Sequence, residues 1–144
     1  MKGNVSEIIV PDFSTKLLRP LISSRVSAGF GNVAEDYIES RIDLNRDLIP
    51  HPDFTFYARI SGDSMEILFS DGDLLIADRE CEVEDKDLII AAVDGELYGK
   101  RFRILDDGSM WLYSENARYK PIPITAETHF KPWGKVIHSI QSFR

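Results

Sequence analysis

The chain is short of cysteine and of long apolar runs, and each shortage excludes a class of protein. Its single cysteine, Cys81, has no partner for an intrachain disulfide. The acidic residues around Cys81 should raise the pKa of its thiol, which makes the thiol a poor nucleophile. No apolar run approaches the roughly 18 residues that a membrane-spanning helix needs. We therefore expect no disulfide framework, no cysteine chemistry and no membrane span.

Positive charge is scarce as well. The 144 residues include 17 Lys and Arg against 24 Asp and Glu, which gives a net charge of −7. This charge opposes attraction to the phosphate backbone, so we expect protein partners and no direct contact with nucleic acid. Residues 1–10 also lack the apolar core of a secretory signal, which predicts a cytoplasmic protein.

A complete set of ligands for a calcium loop is missing as well. Asp71 and Asp73 share the segment Ser70-Asp71-Gly72-Asp73, but the other ligands of a calcium loop are missing around them. A polar turn is the better interpretation of this segment. We expect no metal and no cofactor.

What the chain contains instead is a series of short strand-like runs, separated by turn signals such as Asp94-Gly95 and Asp106-Asp107-Gly108. The pattern predicts strands at Phe54 to Ile60, Leu74 to Ala77, Leu88 to Val93, Glu96 to Leu105, Met110 to Tyr113 and Gly134 to Phe143. In a chain of one domain's length, this pattern indicates a mostly β, compact fold of short strands.

Three segments depart from this pattern. Residues 1–31 lack a sustained period and predict an arm outside the folded core, with a short strand at Glu7 to Val10. The segment from Val33 to about Leu48 has a partial apolar stripe and is the best candidate for a helix. Pro121 and Pro123 interrupt a strand and indicate an edge or a loop.

Ser64 is the first candidate for chemistry. It lies in Ser61-Gly62-Asp63-Ser64-Met65, directly after the strand that ends at Ile60, and before an apolar run long enough for one or two helical turns. A serine on such a turn is exposed and has backbone N–H groups beside it, which an oxyanion needs. A turn residue or a helix cap without any chemical role fits the same pattern.

A serine nucleophile needs a base to take its proton. The three histidines, at positions 51, 129 and 138, show no spacing to a carboxylate that marks an orienting partner. Lys100 is the better candidate, because Tyr98 and Phe102 share its face of a strand and would strip water from its amine, which lowers its pKa. The alternative is a lysine whose stem is buried while its amine stays in water.

Taken together, a set of segments resembles the UmuD family of LexA-type serine–lysine peptidases, whose members cleave themselves. The resemblance extends from about Val26 to Arg144, with the same order and nearly the same spacing. It is carried by Arg41-Ile42-Asp43-Leu44-Asn45, His51-Pro52, Ser61-Gly62-Asp63-Ser64-Met65, Ser70-Asp71-Gly72-Asp73-Leu74-Leu75-Ile76, Ile89-Ile90-Ala91-Ala92-Val93-Asp94-Gly95-Glu96 and Val136-Ile137-His138. One departure is that Met65-Glu66-Ile67-Leu68-Phe69 lacks the glycine-containing turn of the family.

The resemblance implies specific roles for residues. Ser64 would be the nucleophile and Lys100 the general base, with the backbone N–H groups of Asp63 and Ser64 as oxyanion donors. The family cuts its own amino-terminal arm at an Ala-Gly or Cys-Gly bond, and Ala28-Gly29 is the one such dipeptide in the arm. The fold would be a LexA/UmuD-type peptidase domain over residues 41–144, with a mobile amino-terminal arm over residues 1–40.

The resemblance also implies partners and a cellular role. It suggests a homodimer that cleaves itself on a RecA nucleoprotein filament during the SOS response and then joins a Y-family polymerase subunit, UmuC-like, in translesion synthesis. The alternative is a peptidase-fold binding module that regulates protein partners without cutting itself. A phage-type repressor is disfavoured, because the arm is too short for a helix-turn-helix head.

Overall fold

The computed structural model describes residues 3–12, 18–22 and 38–143. The chain divides into two compact units. The larger unit comprises Met1–Pro11 and Asp53–Arg144, and the smaller one is Asp12–Pro52. The described residues of both units form mainly antiparallel strands, which confirms the mostly β fold.

The larger unit is one eight-stranded antiparallel sheet. We number the strands of the whole chain together, in chain order. The sheet contains β1 (Val5–Ile9), β4 (Thr55–Ile60), β5 (Leu74–Asp78), β6 (Leu88–Val93), β7 (Glu96–Ile104), β8 (Met110–Tyr113), β9 (Ile122–Ile124) and β10 (Phe130–Ile140). Their order across the sheet is β1-β4-β5-β10-β6-β7-β8-β9, so the last long strand lies in the middle.

Strand β6 is buried on both faces, and it separates two apolar clusters. Ile90 belongs to the first cluster, while its neighbours Ile89 and Ala91 belong to the second. The first cluster also contains Phe56, Ala58, Ile60, Met65, Phe69, Leu75, Ala77 and Val136. The second contains Val93, Tyr98, Phe102 and Leu112. Strand β4, whose apolar and polar residues alternate, packs only one face against an apolar cluster. Strand β6 packs both faces, which explains its continuous apolar sequence.

The turn between β6 and β7 sets the position of the site lysine. Asp94 and Gly95 have φ angles of +49° and +85°, which is the left-handed backbone that the predicted two-residue hairpin requires. The resulting register pairs Ile89 with Lys100. A slip of one residue would turn Lys100 to the other face of the sheet.

The smaller unit contains a two-stranded antiparallel ribbon and one short helix. The ribbon pairs β2 (Leu18–Ile22) with β3 (Ile38–Asp43). Helix α1 (Leu44–Leu48) follows at once, and the Asp43 side chain caps it by accepting a hydrogen bond from the Asn45 N–H at 3.0 Å. No helix in the described ranges is long and apolar enough to cross a membrane.

The helix predicted from Val33 to about Leu48 is wrong over β3 and correct only over α1. Residues 33–37 lie outside the described residues. Ile38 and Ile42 are four positions apart, a spacing that places two residues on one face of a helix and equally on one face of a strand. Pairing with β2, which is distant in sequence, decides between the two.

The first strand also differs from the expectation for residues 1–31. The short strand expected at Glu7 to Val10 is found at Val5–Ile9, but it is an edge strand of the large sheet and pairs with β4. It therefore lies within the larger folded unit. Its single apolar period is too short to predict this pairing, which is made by backbone groups.

Other turns and strands follow the sequence pattern. The strand through Pro123 is the short β9 at the other edge of the sheet, which confirms the edge position predicted from the prolines. The last strand begins at Phe130, earlier than predicted. A polar side chain introduced into one of these edge strands would be solvated, whereas one introduced into β5 or β6 would be buried in the core.

Leu75 provides a test of this core. It is fully buried in the first cluster, so Leu75→Ala should lower the free energy of unfolding by about 2–5 kcal/mol. Leu68→Ala is the matched control, because Leu68 is 45% exposed, and its loss should stay near about 0.5 kcal/mol. Urea unfolding followed by fluorescence measures both, and equal losses would contradict the assigned core.

Candidate functional site

Ser64 lies on a tight turn at the end of β4. Gly62 has a φ of +79°, and its N–H donates to Asp71 Oδ1 at 2.8 Å, so the chain leaves the strand sharply. A tight turn follows, closed by the bond from the Phe69 N–H to the Met65 carbonyl at 2.8 Å. Met65 and Phe69 are buried and anchor this turn in the core. Ser64 on this turn is only 6% exposed, so the prediction of an exposed serine is wrong: the anchored turn carries the residue into the protein.

Lys100 lies in the middle of β7, and two strands, β5 and β6, lie between β4 and β7 in sequence. It is 3% exposed, and Tyr98 and Phe102 on the same face are both buried. The predicted arrangement of these three side chains is therefore present. The alternative of an amine that stays in water is excluded, because the side chain has almost no solvent contact.

The two side chains meet in the fold. Lys100 Nζ lies 2.5 Å from Ser64 Oγ, within hydrogen-bond distance. Burial lowers the pKa of Lys100 from 10.5 to about 8, because desolvation disfavours the charged amine. A substantial fraction of this amine is neutral at mildly alkaline pH, and a neutral amine accepts a proton. The Tyr119 ring also faces the amine, with Nζ 5.8 Å from the ring centroid.

A loop after β8 holds the backbone of the turn. The Asn116 N–H donates to the Ser64 carbonyl at 3.0 Å, and Asn116 Nδ2 donates to the Asp63 carbonyl at 3.2 Å. The Tyr119 hydroxyl donates to Asp63 Oδ1. In a trans peptide the C=O and the next N–H point in opposite directions, so holding the Asp63 carbonyl also sets the direction of the Ser64 N–H.

The two N–H groups predicted as oxyanion donors have no hydrogen-bond acceptor among the residues that the structure describes. Within the described part of the chain, neither the Asp63 N–H nor the Ser64 N–H donates a hydrogen bond. Unpaired backbone donors beside a serine hydroxyl are available to an anionic oxygen.

The amino-terminal segment supplies a further polar group. The Asn4 side chain is buried, and its Nδ2 lies 3.4 Å from Ser64 Oγ. The Asn4 side-chain amide also makes two hydrogen bonds with the backbone of Gly99. Asn4 Nδ2 donates to the Gly99 carbonyl at 3.0 Å, and the Gly99 N–H donates to Asn4 Oδ1 at 2.8 Å. Asn4 thereby bridges the nucleophile candidate and the strand that carries Lys100.

These groups surround a small cleft of about 180 Å³. It is lined by Gly3, Asn4, Ser61, Gly62, Asp63, Ser64, Tyr98, Lys100 and Tyr119. The cleft is open to solvent on one side and is framed by hydroxyl, amide and amine groups. Such a site suits a peptide backbone that enters with its carbonyl towards Ser64.

Other predicted residues lie elsewhere or outside the described residues. Ala28 and Gly29 fall in the undescribed range 23–37. In the described part of the chain, Ser64 Oγ contacts Lys100 and Asn4, and no histidine contacts it. Burial raises the pKa of the Cys81 thiol, and Asp78 adds to the rise, so the predicted direction is confirmed with a second cause.

Three residues of the site were missed by sequence reasoning: Asn4, Asn116 and Tyr119. Asn4 stands 60 positions from Ser64, and Asn116 stands 53 from Asp63. A single asparagine or tyrosine in a polar segment has no period or spacing of its own. Only the contacts of the folded chain identify them.

The fold and the site define a mostly β protein in which a serine on a turn contacts a buried lysine of lowered pKa. Comparison with protein families agrees with this class, because the Peptidase S24-like family matches residues 20–137. The chain belongs to this family. The resemblance to UmuD-like, LexA-type peptidases is thereby confirmed.

Individual relatives point the same way. Protein ImpA of Salmonella typhimurium is 34% identical over 113 residues, 78% of each chain, and protein ImpA of Escherichia coli has the same values. Protein SamA of Salmonella typhimurium strain LT2 is 41% identical over 86 residues, 59% of this chain and 61% of that protein. The LexA repressor of Streptomyces coelicolor is 37% identical over 105 residues, 72% of this chain and 44% of the repressor.

The buried amine predicts a pH-dependent stability. The pKa of Lys100 is about 8 in the folded protein against 10.5 as a free group, so the unfolded chain binds more protons between these values. Burial of Lys100 therefore costs stability below pH 8, and the cost fades as the pH rises towards 10.5. Lys100→Met should raise the free energy of unfolding at pH 7 by about 1–3 kcal/mol.

The measurement is urea unfolding of wild type and Lys100→Met at several pH values. The gain should shrink towards zero near pH 10. Lys131→Met is the control, because Lys131 is exposed, and it should show no such trend. A Lys100→Met variant that is less stable at pH 7, by an amount independent of pH, would show that the amine is not desolvated.

Proposed function

We propose that this protein is a self-cleaving accessory subunit of an error-prone, translesion DNA polymerase, acting in the SOS response. It cuts its own Ala28-Gly29 bond with Ser64 as nucleophile and Lys100 as general base. A RecA filament stimulates the cut, and the protein works as a homodimer.

The single observation that carries the cleavage is the contact between Lys100 Nζ and Ser64 Oγ at 2.5 Å, made by a buried amine of lowered pKa. A serine needs a base within hydrogen-bond distance, and the base must be neutral at the working pH. The distance supports the first condition, and the lowered pKa supports the second, because it makes part of the amine neutral at mildly alkaline pH. Burying a lysine amine costs free energy, and a purely structural role would not offset this cost.

In the first step, neutral Lys100 accepts the Ser64 hydroxyl proton as Oγ attacks the Ala28 carbonyl carbon. The carbonyl oxygen becomes an oxyanion, and the free N–H groups of Asp63 and Ser64 stabilise it. The bond between the Ala28 carbon and the Gly29 nitrogen then breaks. Lys100 returns its proton to the leaving amine, and an ester remains on Ser64.

In the second step, water hydrolyses the ester. Lys100 takes a proton from the water, whose oxygen attacks the ester carbon, and the proton passes to Ser64 Oγ as the ester bond breaks. The products are a carboxylate at Ala28 and a free amine at Gly29, and the serine is restored. The bond that is cut belongs to the protein itself, so each chain is cleaved once.

The cellular role rests on the family resemblance. ImpA matches 78% of this chain and SamA 59%, and the net charge of −7 favours protein partners over nucleic acid. Dimer formation, the RecA trigger and the polymerase partner are carried over from the UmuD-like pattern of motifs. An assay with activated RecA therefore tests the trigger and the chemistry together.

The nucleophile is tested by Ser64→Ala. Because no other described group takes the place of Oγ beside Lys100, cleavage should fall by at least about 10³-fold while the fold persists. The intact mass is measured after incubation alone, with RecA filament on single-stranded DNA, and at alkaline pH. Wild type should lose residues 1–28 in the last two conditions.

Ser61→Ala is the matched control. Ser61 lies on the same turn, but its Oγ contacts the Asn4 carbonyl at 3.4 Å instead of the lysine, so cleavage should slow far less. Cleavage of Ser64→Ala at the wild-type rate would remove Ser64 from the mechanism. A wild-type chain that stays intact in all three conditions would favour the alternative of a binding module that does not cut itself.

The base is tested by the pH dependence of self-cleavage without RecA. Since the neutral amine is the active form, the rate should rise with pH through about 8 and then level off. An exposed lysine would keep the rate rising to about pH 10. Lys100→Arg keeps the positive charge, but a guanidinium stays protonated, so this variant should be inactive at every pH. A rising rate in Lys100→Arg would exclude Lys100 as the base.

A further inference from the structure

The segment Gly3 to Ile9 is held to the larger unit by contacts along its whole length. Strand β1 pairs with β4 over Val5 to Ile9. The Ser61 N–H donates to the Asn4 carbonyl at 2.8 Å, which extends the ladder past the end of β4. Glu7 adds an ion pair with Arg59 at 3.3 Å.

Gly3 and Asn4, the first two residues of this segment, pack tightly against strand β7. The Gly3 N–H donates to Glu96 Oε2 at 3.2 Å, and a Cβ on Gly3 would come within 2.1 Å of the Leu97 carbonyl oxygen. Only glycine is therefore accommodated at position 3. The next residue, Asn4, is buried, and its side-chain amide hydrogen-bonds with the Gly99 backbone and contacts Ser64 Oγ.

All these contacts are made with Tyr57 to Ser64 and with Glu96 to Gly99, which belong to the same compact unit as residues 1–11. Ala28 and Gly29 lie beyond this segment in the chain. A cut between them breaks the covalent link without touching a single one of these contacts. The segment and its binding surface thus end up on two different products.

We propose that the amino-terminal fragment stays bound after the cut, with Gly3 to Ile9 as a strand on β4 and Asn4 against Ser64 Oγ. The inference rests on the proposed cleavage at Ala28-Gly29. The partner for the edge of β4 and for the wall of the cleft is this fragment of the chain itself. Backbone pairing to a sheet edge supplies affinity, and the fit of Gly3 and Asn4 supplies specificity.

A functional consequence follows for the shortened protein. While the fragment is bound, Asn4 occupies one wall of the cleft and contacts the nucleophile, so the cut alone does not open the site. The fully shortened form appears only when the strand dissociates or another strand replaces it on β4. Cleavage and release are then two separate events, and their rates need not be equal.

The experiment makes the cut independently of Ser64. A tobacco etch virus protease recognition sequence is inserted between Ala28 and Gly29 of the Lys100→Met chain, which lacks the base but keeps the Ser64 hydroxyl that Asn4 contacts, and the protease is added to the folded protein. Denaturing mass spectrometry measures the extent of cutting, and gel filtration followed by mass spectrometry locates the fragment. We expect the fragment to co-elute with the remainder in a one-to-one ratio.

Two variants test the contacts that carry the proposal. Gly3→Ala should expel the segment from its position, and Asn4→Ala should weaken the complex about tenfold or more, because the Gly99 bonds lose their partner. Val10→Ala is the control, since Val10 follows β1 and is 82% exposed, and the fragment should remain bound. Circular dichroism of the uncut chains checks that each variant folds.

A fragment that elutes apart from the remainder in the cut parent chain would overturn the proposal. Equal retention in Gly3→Ala, Asn4→Ala and the parent would also overturn it, because the fragment would then be held by something other than β1. Since the added protease makes the cut, neither result depends on whether Ser64 and Lys100 cleave the chain. Failure of the self-cleavage assay and failure of fragment retention are therefore separate outcomes.

Discussion

The loss of water around the Lys100 amine is the constraint on which the rest of the site depends. A lysine in the middle of a sheet strand is costly to bury, and its pKa falls to about 8 because burial desolvates the charged amine. The hairpin at Asp94-Gly95 sets the register of β7, and two aromatic side chains cover the stem on the same face. Among the described residues, the serine turn then supplies the one hydrogen-bond contact of the amine.

Three segments that are distant in sequence converge on this contact. The turn after β4 brings the serine, β7 brings the lysine, and the loop after β8 holds the backbone of the turn through Asn116 and Tyr119. The amino-terminal strand adds Asn4 from a fourth direction. The geometry of the site is therefore a property of the large sheet and not of any one motif. A change in the sheet register would dismantle it even with every site residue in place.

The two edges of the sheet have different characters. Strand β9 is short and interrupted by proline, a common way to blunt an edge. Strand β1 carries no proline, and the larger part of its side chains face solvent. Its hold on β4 comes from backbone pairing, an ion pair and the fit of Gly3 and Asn4. An edge strand held in this way is a separable part of the fold, and edge elements are usually among the first to open.

Much of the large sheet is readable from the sequence. Strands β4, β6 and β7 follow from alternation, from a short apolar run and from the Asp-Gly turn, because these signals are local. The helix expected over residues 33–48 fails over β3, because isoleucines four positions apart fit a helix and a strand equally well. The place of β1 in the sheet was missed for a related reason: an edge strand pairs through backbone groups, which every residue carries.

For the site, the sequence by itself determined the serine on its turn, the lysine between two aromatic residues on one strand face, and the family to which this pattern belongs. It left open whether the amine is in water, because solvent exposure depends on what covers a strand and not on the strand itself. The tertiary structure decided that question. It also decided that Asn4, Asn116 and Tyr119 join the serine and the lysine, since hydrogen bonds between residues more than 50 positions apart have no trace in local spacing.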